Sequence, residues 1–262
     1  MSAEVTRLDL RLRRRSSLAY ATGVGAYAVL IVVLYPSFRN DASLNDLTTS
    51  NPKLAALFGA AGSLTSPDGW MNANLYTNLV PLFALLMTVG YGAAAIAGQD
   101  EDGTLGGVAS LPLNRSRILL EKTTALAVLS LPVPVVSLVA SLAGRGFQLD
   151  LGIGPLIQIT ISSALMAFDL GLVALAMGAW TGSRGTALGV SVAAAAAGYV
   201  ISSLAPVVHW IHAIRYASPV YWGVGANQLH DGADTAGTIL LVLTGAAIAV
   251  LAWSGFRRLD IR

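Results

Sequence analysis

Seven ionisable side chains crowd into the stretch Gly98–Lys122, "GQDEDGTLGGVASLPLNRSRILLEK": Asp100, Glu101, Asp102 and Glu121 against Arg115, Arg117 and Lys122. The chain on either side is almost purely apolar, so this stretch is either solvated or docked against another protein. ATP chemistry of the P-loop kind is excluded. That loop needs a lysine after a glycine-rich turn, and the only lysines, Lys53 and Lys122, follow Pro52 and Glu121. Neither an HExxH nor a GxSxG pattern occurs, and no nucleophile–base pair stands out. His209 and His212 are three residues apart, a metal-ligand spacing, but a third ligand is not evident; interfacial or core histidines are the plainer reading. Asp169, in "MAFDLGLV", is the one acid deep inside an apolar segment. There it must face protein or water or be protonated, for a structural hydrogen bond or for cation or proton binding.

These residues have to be positioned by membrane helices. Of the 262 residues, 55% are hydrophobic and 11% charged, against about a quarter charged in a soluble domain. A helix needs about 20 apolar residues to cross the hydrocarbon layer. Six segments qualify, at 17–35, 79–97, 118–142, 155–180, 186–205 and 236–256. The alternating segments of a barrel are not visible. The expected fold is an all-α membrane protein, one transmembrane domain over 1–262. Cysteine is absent, which removes disulfides and thiol chemistry.

With the N-terminus inside, twelve of the sixteen Lys and Arg residues fall on inner segments: Arg7, Arg11, Arg13, Arg14, Arg15, Arg115, Arg117, Lys122, Arg184, Arg257, Arg258 and Arg262. The positive-inside rule then puts both termini and the 98–117 loop in the cytoplasm. The net charge of +2 does not suggest nucleic acid. Residues 1–16 read as an interfacial amphipathic helix. Val5, Leu8 and Leu12 share one face, and Arg7, Arg11, Arg14 and Arg15 another, among lipid headgroups. The first apolar run is long for a signal peptide and lacks a small-residue cleavage site, so it is expected to stay. Outside, "NPKLAALFG" predicts a short helix from Asn51 to Gly59. The aromatic-rich 206–235 segment predicts a re-entrant outer hairpin.

Within the charged loop, "EDGTL" reads as a helix start, Pro112 as a break, and Arg115 onward as the return into the membrane. That order resembles the permease subunits of ABC transporters of the type-2 exporter class, such as bacterial multidrug and antibiotic efflux permeases. Their loop reads acid-x-Gly-Thr-Leu and then Leu/Gln-Pro-x-x-Arg, as Glu101–Leu105 and Leu111–Arg115 do here. "RYASPVYW" and "FRRLDIR" resemble that family's last outer loop and basic tail. The resemblance implies a permease paired with a second permease, identical or homologous, and with two ABC ATPase subunits that carry ATP and Mg. It implies export of a drug, antibiotic or lipid-like molecule across the cell membrane, with no cofactor in this chain. It also implies that the loop carries a coupling helix, with Glu101, Gly103, Thr104, Leu105, Pro112 and Arg115 against the ATPase. Spans two and five would line the pathway, which singles out Met87, Tyr91, Tyr199 and Ser202 beside Asp169. The alternatives are a membrane anchor that recruits an ATPase without transport, and an intramembrane enzyme.

Two backbone features complete the reading. Gly185, Gly189, Ala193 and Ala197 recur every four residues in span five, either as a close helix–helix contact or as plain Ala-rich filler. Pro132 and Pro134 remove amide donors and predict a kink in span three.

Overall fold

The computed structural model describes residues 4–50, 63–109, 114–225, 228–232 and 235–259. All the regular structure among them is helical. Six helices are long and apolar enough to cross a membrane: span one Glu4–Phe38, span two Pro67–Glu101, span three Arg115–Phe147, span four Ile153–Thr181, span five Arg184–Leu204 and span six Thr235–Arg258. The segment predicted as a helix from Asn51 to Gly59 lies outside the described residues, as does Pro112.

Helix starts follow from local sequence. Asn114 and Ser183 cap spans three and five, each accepting a hydrogen bond from the amide three residues on. Ser66-Pro67 opens span two, with a side-chain cap followed by a proline whose missing N–H costs nothing in the first turn. Ser218-Pro219 repeats this device in the segment between spans five and six. Span three breaks between Leu129 and Pro132, where the predicted kink falls: Pro132 begins a new helical stretch, Pro132–Ala143.

Two elements differ from expectation. The separate interfacial helix over 1–16 is instead the start of one unbroken 35-residue helix. At about 1.5 Å rise per residue this is roughly 50 Å long, well beyond the hydrocarbon thickness. Its buried residues at this end are Val5, Thr6 and Asp9, while Leu8 and Leu12 are exposed, so the face packed on the protein is not the all-apolar one. Span two starts twelve residues earlier than its most apolar stretch suggests. Its early part, Pro67–Tyr76, runs through a π-helical turn, and a second such turn, Ala94–Gly98, precedes the charged loop.

Span four is the most buried helix and forms the centre, with spans two, five and six packed on it. Spans two and four approach closely at Gly92 and Gly171. A Cβ on Gly92 would lie 2.2 Å from the Gly171 carbonyl, so a side chain there would force the backbones apart. Spans one, five and six expose most of their surface. Of the small-residue stripe in span five, Gly185, Gly189, Ala193 and Ala197 all face out of the subunit; its packed face carries Ala187, Ser191 and Gly198.

One end of the bundle gathers the first turns of span one, residues 98–109 and 114–117, the 182–184 turn and the end of span six. At the opposite end Tyr35 Oη donates to the Thr65 carbonyl at 2.9 Å, and His230 Nδ1 meets Asp68 Oδ2 at 2.8 Å. Between spans five and six the short helix Pro219–Val224 packs inward against span four. There Ser162 Oγ donates to the Gly223 carbonyl at 2.7 Å, and Val220 and Val224 are buried.

Candidate functional site

The loop begins with a helix stop. After Gln99–Glu101, the Gly103 amide bonds the Asp100 carbonyl at 3.1 Å and the Thr104 amide bonds the Gln99 carbonyl at 2.8 Å. This is the paired pattern of a Schellman cap, which requires a left-handed residue, and Gly103 supplies it with φ 68°. Thr104 Oγ1 donates to the same Gln99 carbonyl at 3.2 Å. The Asp-Gly-Thr order is therefore a turn specification. A short helix, Leu105–Ala109, follows. Leu105 is 0% exposed and packs into the subunit's own core, not outward as its assignment to an ATPase contact implied.

The loop's charges also bond within the subunit. Glu101 Oε1 accepts from the Arg184 amide, at the first turn of span five, at 2.8 Å. Arg115 Nη1 donates to the carbonyls of Phe256, Arg257 and Leu259 at 3.2, 3.4 and 2.7 Å, at the end of span six. Glu121 Oε2 accepts from the amides of Val5 and Thr6 at 2.8 and 3.4 Å, capping the start of span one, and its other oxygen pairs with Arg117 at 3.3 Å. Lys122, whose side chain is 0% exposed, pairs with Asp9 at 3.6 Å and donates to Gln99 Oε1 at 2.8 Å. Tyr91 Oη donates to Asp9 Oδ2 at 2.6 Å.

Glu121 and Lys122 are thus buried within the subunit, while Glu101 and Arg115 stay exposed and also hold the ends of spans five and six. Helix ends leave backbone donors and acceptors unpaired, and a carboxylate at an N-terminus or a guanidinium at a C-terminus satisfies both the hydrogen bond and the dipole. Asp102, Gly103, Thr104 and Gly107 are also exposed and form an outward patch among the described residues of the loop. Beside it Asp9, Arg13, Tyr91, Gln99, Asp102 and Arg184 line a half-open cleft of about 160 Å³.

Inside the membrane region Asp169 is buried between spans four and six. Thr244 Oγ1 donates to its Oδ2 at 3.0 Å, and Gly245 leaves the space that Oδ1 occupies. Oδ1 has no hydrogen-bond partner among the described residues. Met87 is packed in the subunit core, and Tyr91 belongs to the Asp9–Lys122 cluster. Tyr199, at the exposed face of span five, donates to Asn78 Oδ1 at 2.6 Å and so ties spans five and two together. Ser202 is half-buried on the same helix. His209 and His212 are exposed, and no group of three or more potential metal ligands occurs among the described residues.

Asp9, Gln99 and Asn78 escaped the sequence reading. The available signal was Asp9, the only acid among the five arginines of residues 7–15.

The family described as "ABC-2 family transporter protein" has a sequence model that matches residues 3–220. The match covers spans one to five and stops before span six. The chain belongs to this family of transporter proteins: it is a multi-pass membrane permease of the ABC-2 type. No curated protein sequence matches it.

Proposed function

We propose that the chain is the permease half of an ATP-driven exporter, moving a hydrophobic or amphipathic compound such as a drug, an antibiotic or a lipid-like molecule. In this reading two separate ATPase subunits carry ATP and Mg, and a second permease completes the pathway. The observation that carries the proposal is the loop after span two. Its Schellman turn holds Asp102, Gly103 and Thr104 outward at the same end of the bundle as the basic helix ends. Those basic residues support a cytoplasmic position for that end, where an ATPase would dock. The exposed Arg7, Arg11, Arg14 and Arg15 then reach the anionic headgroups of the inner leaflet. The inward-packed Pro219–Val224 segment is read as part of a re-entrant outer hairpin.

The exposed small-residue face of span five is the surface we assign to the second permease, because small residues permit close helix approach in lipid. Tyr199 and Ser202 lie on that helix and are the pathway candidates we retain. We favour them over Met87, which packs in the subunit core, and Tyr91, which holds Asp9. The test is ATP-dependent flux of fluorescent amphipathic dyes into inverted membrane vesicles holding the permease and its co-purifying ATPase. Dye accumulation that stops with a Walker-lysine variant of that ATPase is the expected result. A stable complex without flux for any dye would favour the anchor reading.

A further inference from the structure

We infer that Glu101 and Arg115 are positioning residues that fasten the two ends of the charged loop to two distant helices, so that displacement of the loop is passed separately to span five and to span six. The inference rests on the proposed coupling role of the loop.

The loop leaves span two at Glu101 and returns to span three at Arg115. Glu101 holds the first-turn amide of span five at 2.8 Å. Ser183 Oγ already accepts from the Thr186 amide in that turn, so Glu101 satisfies a second of the unpaired donors there. Arg115 gathers two last-turn carbonyls of span six, and that of Leu259 just beyond it, with one nitrogen. The signs match the helix dipoles, acid at an N-terminus and base at a C-terminus. The same segments come close at Gly182, in the turn between spans four and five: a Cβ added there would stand 3.9 Å from Oδ2 of Asp100, itself 4% exposed, and 3.3 Å from Leu259 beyond span six. Both residues are thereby engaged within the subunit, while the outward residues lie between them in the chain.

Neither attachment belongs to the core. Glu101 and Arg115 are exposed residues, so their replacement leaves the packed bundle intact. Each reaches a different span, and that predicts a span-selective fault, which general destabilisation would not give.

The first measurement uses the permease alone in lipid nanodiscs, with amide hydrogen exchange as the readout. Glu101→Ala should raise exchange in the first turn of span five about five-fold, the effect of losing a helix cap, and leave the end of span six unchanged. Arg115→Ala should do the reverse. Glu101→Gln keeps an acceptor oxygen and should restore protection. The second measurement uses the complex with its co-purifying ATPase. Spin-label pairs in this cysteine-free chain, Arg11→Cys with Val192→Cys and Arg11→Cys with Val250→Cys, report spans five and six. With ATP and vanadate, Glu101→Ala should lose the span-five distance change and keep that of span six, with the opposite pattern for Arg115→Ala. Unchanged exchange in both alanine variants, or equal loss in both label pairs, overturns the inference. Failure of any ATPase to co-purify counts against the proposed function instead, and the exchange result then decides the linkage alone.

Discussion

Asp9 and Lys122 show how a single pair can hold a helix where its own sequence would not. Lys122 is 0% exposed, and its ammonium has the Asp9 carboxylate and the Gln99 amide oxygen as partners. Removing one member of a buried pair strands the other, at a cost of about 3–5 kcal/mol, whereas replacing both is often close to neutral. Asp9→Ala should therefore lower the detergent melting temperature of the permease more than Asp9→Ala combined with Lys122→Met, a pattern a double-mutant cycle reads directly. Asp169 is governed by space as well as polarity. Asp169→Asn keeps an acceptor for Thr244 and the same volume, so stability should change by less than about 1 kcal/mol. Asp169→Leu presses branched bulk toward Gly245 and should cost about 1–3 kcal/mol by overpacking, measured in the same melt. Leu105→Asp places a carboxylate in a fully enclosed apolar site. It should fail in the subunit itself, through loss of folded protein, before any partner is involved.

At the scale of elements, the six spans were legible because a membrane helix declares itself by length and hydropathy. What hydropathy could not show was how far each helix continues into polar sequence. Span one runs back through five arginines because Glu121 caps its first turn and Asp9 is paired, both contacts over a hundred residues away in sequence. Span two extends toward Pro67 because Ser66 and Pro67 form a start signal in a segment of middling hydropathy. The Asp-Gly-Thr motif was legible as special but not for its reason. It is a helix stop set by Gly103, and the acids and bases around it cap other helices, contacts that no local pattern encodes. Sidedness is testable at this scale. In a chain without cysteine, Asp150→Cys should react with a membrane-impermeant maleimide added outside cells, and Asp102→Cys should react only after permeabilisation. Outside labelling at Asp102 would place the loop on the wrong face for an ATPase.

The whole molecule is a bundle centred on span four, with one end tied together through the charged loop and with spans one, five and six largely uncovered. Under the proposed function, the surface divides into a lipid-facing part, a span-five face for a second permease, and an outward patch that includes Asp102, Gly103, Thr104 and Gly107. The most direct test of that account is Gly107→Arg. A Cβ at Gly107 meets open space, so the subunit should fold and insert at normal yield, while a bulky cation stands on the patch. Central interface positions contribute about 2 kcal/mol or more. Retention of the ATPase on the affinity-purified permease should therefore fall at least about ten-fold, and ATP-driven dye flux with it. Normal retention and normal flux in a folded Gly107→Arg permease would contradict the docking of an ATPase on this loop.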